Sequence, residues 1–137
     1  MVKVQRDPFD PGALQQALTG NEAVGAVVTF TGYVRQTDTL ELEHYPGMTE
    51  AVMDDLRSQA ITRFSLHGAV LVHRVGPLQT NDPIVWVGVS APHRVDAFQG
   101  AMFLMDHLKS SVPLWKKEQG QWLRPSEHDK SSIEAWS

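Results

Sequence analysis

From Val24 to Val34 the chain reads VGAVVTFTGYV, a stretch with no charge that is dominated by β-branched and small residues. Side chains branched at Cβ crowd a helix and fit a pleated strand, so this run predicts a buried strand. LELEHY (Leu40–Tyr45) follows and alternates apolar with polar residues, the pattern of a half-buried strand. Only Gln36–Thr39 separate the two, which predicts a hairpin. An apolar sheet face needs a cover, and two segments are suited to supply it. Ala51–Phe64 places Val52, Leu56, Ala60, Ile61 and Phe64 at helical spacing. Pro92–Ser110 reads as a long helix with Val95, Phe98, Met102 and Met105 on one stripe, and Pro113 ends it.

Further strands are expected at Val2–Gln5, Ala69–Gly76 and Ile84–Ser90, the last two joined around Asn81-Asp82-Pro83. Asp10 and Pro11 open a short helix as N-cap and first helical residue. LWKKEQGQWL suggests a closing hairpin turning near Gly120. Strand pairs punctuated by helices imply an α+β fold with a mostly antiparallel sheet, not a doubly wound one. At 137 residues the chain is expected to form one domain, 1–137, with about 125–137 as a flexible tail.

Composition narrows the function. A hydrophobic share of 42% supports a real core, and no stretch approaches the roughly 18 apolar residues of a membrane span. MVKVQRDPFD lacks the apolar run of a signal peptide, so a cytoplasmic protein is expected. The formal charge of −4 argues against a nucleic-acid partner, and any basic site must be local and aimed at a small anion. The chain has no cysteine, which excludes disulfides, thiolate metal sites and a thiol nucleophile of its own. Sulfur chemistry here would require a partner to bring the sulfur.

Several basic residues are candidates for that local site. His93 and Arg94 follow Pro92 at the expected start of the long helix, where free N–H groups and the helix dipole already favour an anion. The same side chains could instead bend to solvent or to Asp96. Arg35 directly follows the apolar run, with Gly32 permitting close backbone approach, although taken alone a solvated arginine is the more common reading of such a position. Lys109 and Lys116 lie among Leu108, Val112, Leu114 and Trp115. Apolar walls and neighbouring cations make an amine easier to deprotonate, which suits acid–base work or phosphate binding; otherwise both lysines snorkel over apolar neighbours. No pair of the six histidines has the spacing of a zinc motif, and no metal site is expected. The chain has no Walker loop, G-x-G-x-x-G, G-x-S-x-G or H-E-x-x-H.

Four stretches in order, GAVVTFTGYVR, LEHYPGMTE, APHR followed by MDHLK, and VPLWKKE, resemble the large, catalytic subunit of molybdopterin synthase. The resemblance spans roughly Val24 to Trp122. It implies an α/β-hammerhead-like fold and a sulfurtransferase of molybdenum cofactor biosynthesis that needs no cofactor. In that family cyclic pyranopterin monophosphate becomes molybdopterin by gaining a dithiolene. The sulfur arrives as a thiocarboxylate on the C-terminal Gly-Gly tail of a small ubiquitin-like subunit. The implied assembly is a heterotetramer, a homodimer of large subunits with a small subunit at each end. Carried over by motif, Tyr33, Val34 and Arg35 form one substrate-binding segment, while His93 and Arg94 meet the phosphate side of the pterin. Lys109 and Lys116 are the implied catalytic lysines, with Lys117 and Glu118 beside them in the substrate site.

Helix geometry adds a constraint of its own. His93 and Lys109 are separated by about 24 Å at ~1.5 Å per residue, and by about 160° around the axis. One straight helix cannot bring both to a small pterin: either the helix breaks, for which Gly100 offers only a weak point, or a two-fold dimer shares each site, which is the expected arrangement. The alternative function is a non-catalytic module that keeps the anion pocket for a protein or nucleotide ligand. Retention of both lysines favours the enzyme, because a binder need not keep them.

Overall fold

The computed structural model describes residues 1–20, 23–35, 40–112, 114–118 and 121–123. In chain order its elements are β1 (Val2–Gln5), α1 (Pro11–Gln16), β2 (Ala26–Tyr33), β3 (Leu40–His44), α2 (Met48–Phe64), β4 (Gly68–Arg74), β5 (Gly76–Leu78), β6 (Pro83–Ala91), α3 (Arg94–Ser110), β7 (Leu114–Glu118) and β8 (Gln121–Leu123). They build two four-stranded sheets, ordered β1-β4-β6-β2 and β5-β3-β7-β8. β1 and β4 run parallel, and every other described pair is antiparallel.

Local signals act as expected in several places. Asp10 accepts hydrogen bonds from the N–H groups of Gly12 (3.0 Å) and Ala13 (3.4 Å), with Pro11 opening α1. The alternation in β3 buries Leu40 and Leu42 on one face. Main-core residues come from both long helices (Met53, Leu56 and Ala60; Ala97, Leu104 and Leu108) and from the strands, with Leu71, Val87 and Val89. Burying a side chain such as Leu104 fully contributes roughly 1.5–3 kcal/mol. Leu18, Val70, Val72 and Trp86 form a smaller core on the opposite face of the first sheet. A third cluster (Val34, Leu40, Leu42, Val75 and Leu78) belongs to the second sheet. Val4, Ile84 and Leu114 pack against both this cluster and the main core, so they join the two sheets.

Four expectations need correction. β2 and β3 do not pair as a hairpin: β2 pairs with β6, and β3 pairs with β5 and β7 in the other sheet. The short link carries the chain from one sheet to the next. β2 is half-buried, not buried, because it is an edge strand, with Phe30 40% and Tyr33 57% exposed. The long helix starts at Arg94, two residues later than expected, and His93 is its N-cap. Its predicted stripe also divides: Met105 is buried, while Val95, Phe98 and Met102 are 57%, 63% and 58% exposed. The inward face begins with small residues, Ala97, Gly100 and Ala101, which let the helix approach closely, and continues with Phe103, Leu104, Met105 and Leu108. The expected tail at 125–137 and the turn at Gly120 lie outside the described residues.

Candidate active site

β2 delivers the first candidate segment. A β-bulge falls between Gly32 and Tyr33, and a Cβ at Gly32 would lie 2.6 Å from Val85 Cγ1, so only glycine fits that approach. Beyond it Val34 is buried and pinned at both backbone groups. Its N–H donates to Asp82 O (2.9 Å), and its carbonyl accepts from the N–H of Asn81 (2.7 Å). Asn81 adopts φ 74°, a left-handed conformation that asparagine tolerates. Tyr33 and Arg35, on either side of this anchor, are exposed.

Lys109 and Lys116 belong to the same end of the molecule. α3 leaves the end of β6 and folds back along β6 and β2, so its C-terminal turn, with Lys109, lies where β2 stops and β6 begins. Leu114, which opens β7, packs in the cluster that contains Val34 and Leu40. In register, Lys116 stands opposite Leu42, and directly opposed residues share a sheet face. An exposed lysine therefore shares its face with a buried leucine. Lys117 and Glu118 lie in β7 opposite Glu41 and Leu40; their side chains are outside the described set.

His93 and Arg94 sit at the opposite end. His93 caps α3 in an extended conformation (φ −130°, ψ 144°), and its side chain makes no capping hydrogen bond. The start of β2 supports this turn: Gly25 N–H donates to Ala91 O at 3.0 Å, and a Cβ on Gly25 would come within 1.9 Å of the Pro92 carbonyl oxygen. His93 and Arg94 are exposed, and among the described residues no carboxylate pairs with them, with Arg35 or with Lys109. Basic side chains at a helix N-terminus run against the helix dipole, so a bound anion there would be stabilised.

α3 runs unbroken from Arg94 to Ser110, and Gly100 is no hinge; a Cβ there would meet Leu66 at 3.0 Å. One chain thus brings Tyr33, Val34, Arg35, Lys109 and Lys116 to one end and leaves His93 and Arg94 about 24 Å away at ~1.5 Å per helical residue. Between the two ends lies the exposed apolar face of Val95, Phe98 and Met102. Among the described residues no group of three His, Asp or Glu side chains converges as a metal site would. Sequence reasoning missed one cluster, His44, Glu50 and His73: the first two fall within LEHYPGMTE, but His73 comes from a distant strand. His44 Nε2 lies 3.9 Å from Glu50 Oε1. Burial pushes the pKa of His73 down, partly offset by its hydrogen bond to the Arg74 carbonyl; charge on His44 lowers it further.

Two linked sheets, a helix layer over one face and exposed basic side chains at two separated ends define an α+β domain. Lacking a cysteine, it depends on an outside source for any thiol chemistry. The chain belongs to the MoaE protein family, whose sequence model matches residues 4–111. It is 43% identical to the molybdopterin synthase catalytic subunit of Haemophilus influenzae, over 98% of this chain and 97% of that one. The Caulobacter vibrioides catalytic subunit is 41% identical over 99% and 97%. Among solved structures, the Burkholderia ambifaria molybdopterin biosynthesis MoaE protein superposes with TM-score 0.89 at 40% identity, covering 99% of this chain and 97% of that one. Molybdopterin synthase from Staphylococcus aureus gives TM-score 0.81 at 33% identity, covering 88% and 94%.

Proposed function

We propose that this chain is the catalytic subunit of a molybdopterin synthase, working in the cytoplasm as a sulfurtransferase on cyclic pyranopterin monophosphate. Family membership across nearly the whole chain is the observation that carries the reading. A small ubiquitin-like subunit supplies sulfur as a C-terminal thiocarboxylate, which accounts for a catalytic subunit with no cysteine. Each transfer forms a carbon–sulfur bond on the pterin side chain with loss of an oxygen substituent from that carbon, and water then cleaves the carrier's acyl carbon–sulfur bond, leaving the sulfur on the pterin and the carrier as a carboxylate. Lys109, at the end of α3, lies nearest the incoming tail and assists attack or carboxylate release. Lys116 is the second catalytic lysine, with Lys117 and Glu118 beside it. Tyr33, Val34 and Arg35 hold substrate at the same end, and His93 with Arg94 binds its phosphate side.

The separation of those groups supports a site shared between two copies. A two-fold axis over the Val95–Phe98–Met102 face would set α3 antiparallel to its mate. That arrangement brings His93 and Arg94 of one copy toward Lys109 and Lys116 of the other. With a small subunit at each end, the assembly is a heterotetramer.

The test is reconstitution of purified protein with a thiocarboxylated small subunit and the cyclic precursor, assayed for dithiolene product. Turnover is expected, and it should vanish when the carrier lacks its terminal Gly-Gly, while docking weakens only in part. Absence of product where a working synthase succeeds would favour the non-catalytic anion-binding module. The catalytic-subunit relatives do not favour that alternative.

A further inference from the structure

The joint between α2, β3 and β4 gathers three titratable side chains that the sulfur-transfer scheme leaves unused: His44, Glu50 and His73. At 3.9 Å, His44 Nε2 and Glu50 Oε1 are within ion-pair range but too far apart for a hydrogen bond. Glu50 Oε1 is buried and takes no hydrogen bond among the described residues, although the side chain as a whole is 40% exposed. A buried carboxylate oxygen is costly unless a donor or cation faces it, and His44 is what faces it. Behind this pair, His73 Nδ1 is 2.8 Å from the Arg74 carbonyl oxygen. A carbonyl only accepts, so that nitrogen carries the hydrogen, and a neutral His73 offers Nε2 as an acceptor.

β3 links this joint to the candidate catalytic end. His44 pairs with Leu114 and Leu42 pairs with Lys116. Side chains two residues apart return to the same face of a strand, so His44 and Lys116 share one face as diagonal neighbours. Such neighbours lie about 7–8 Å apart, within reach of a long side chain. A carboxylate facing one ring nitrogen favours hydrogen on that nitrogen and leaves the other as an acceptor. With Glu50 at Nε2, the acceptor of neutral His44 is Nδ1.

We propose that His44, oriented by Glu50, is a positioning residue for Lys116, with Nδ1 of the neutral ring receiving the lysine ammonium. This rests on the sulfur-transfer reading for the role of Lys116. Protonation of His44 turns the acceptor into a donor, sets like charge beside the lysine and releases it. Glu50 from α2 and His73 from β4 face His44, Tyr45 follows it in the chain, and Lys116 of β7 is its diagonal neighbour in register. Asp106 and Lys109 in the last turns of α3 lie toward the same end.

Two readouts test the proposal. In the purified protein, the 13C resonance of the Lys116 ε-methylene should show a step that coincides with protonation of the His44 ring, followed by its own ring resonances in the same samples. The step should be absent in His44→Gln and persist in His67→Gln. In the reconstituted synthase, His44→Leu should lower kcat about tenfold with KM for the carrier held within about twofold. His44→Gln, which restores an acceptor, should recover most of that rate and lose the acid limb of the kcat–pH profile. A Lys116 resonance without the step, or a folded His44→Leu enzyme with wild-type kcat, would overturn the proposal. A step in the resonance together with no product from the wild-type protein would overturn the sulfur-transfer reading and leave the His44–Lys116 coupling standing.

Discussion

Replacing Phe98 by Asp should dissociate the two-copy assembly without unfolding either copy. The ring is 63% exposed in the single chain. A phenylalanine side chain presents roughly 200 Å², so about 125 Å² is available for burial against a second copy. At about 25 cal/mol per Å² that surface contributes about 3 kcal/mol. A two-fold axis repeats it, so the pair of substitutions removes about 6 kcal/mol, a weakening of Kd by about 10⁴. Within one copy the same change lies on the surface and should shift stability by no more than about 0.5 kcal/mol. Sedimentation velocity at micromolar concentration should show a dimer for the unaltered protein and a monomer for Phe98→Asp, with a native circular dichroism spectrum in both. Sulfur-transfer activity should fall with the dimer, although every candidate catalytic side chain is intact. A Phe98→Asp protein that remains dimeric, or a monomer with full activity, would refute the reasoning.

Lys109→Ala should abolish most turnover in the reconstituted assay, and Lys116→Ala should reduce it clearly but less, both with unchanged thermal melting. The buried His73 makes stability depend on pH: its folded pKa is lowered from 6.5, so below about that pH the unfolded chain takes up the proton preferentially. The melting temperature should therefore hold at neutral pH and fall as the pH drops below that value, and His73→Gln should flatten the acid-side decline. Gly25→Ala should destabilise the fold by about 1–3 kcal/mol in a urea titration, because its Cβ would collide with the Pro92 carbonyl oxygen. It should also weaken phosphate-dependent substrate binding, since the strained turn carries His93.

Signals confined to a few neighbouring residues were legible in the sequence. The Asp10-Pro11 cap, the alternation of Leu40 and Leu42, the extent of β1 and the C-terminal end of α2 all follow from contacts within one turn or one strand, whereas α2 begins at Met48, three residues before the expected start. Pairing was less legible. A four-residue link suits a hairpin, yet β2 finds its partner in β6 and β3 crosses to the second sheet, a choice made by long-range packing. β5 was invisible as a separate strand because its three residues, Gly-Pro-Leu, carry almost no pattern. For α3 the helical period was correct and the covered face was not: a large apolar stripe marks a face that will be buried by something, which need not be its own chain. Tyr33, Val34, Arg35, Lys109 and Lys116 were named from sequence motifs, and the structure brings them to one end. The separation of His93 and Arg94 was also readable, since it needs only an unbroken helix. The His44–Glu50–His73 joint required three elements to meet; LEHYPGMTE holds the first two residues, but nothing local shows that they face each other or that His73 joins them.

Subunit complementation tests the shared sulfur-transfer site most directly. Lys109→Ala and His93→Ala/Arg94→Ala proteins, each inactive alone, are mixed, allowed to exchange subunits and assayed with the thiocarboxylated carrier and cyclic precursor. If each pocket joins Lys109 and Lys116 of one copy to His93 and Arg94 of the other, every mixed dimer regains one intact pocket. The mixture then approaches about half the wild-type activity per mixed dimer. Verified exchange with activity no greater than the sum of the two separate mutants would place all four residues in one chain's pocket and contradict the account.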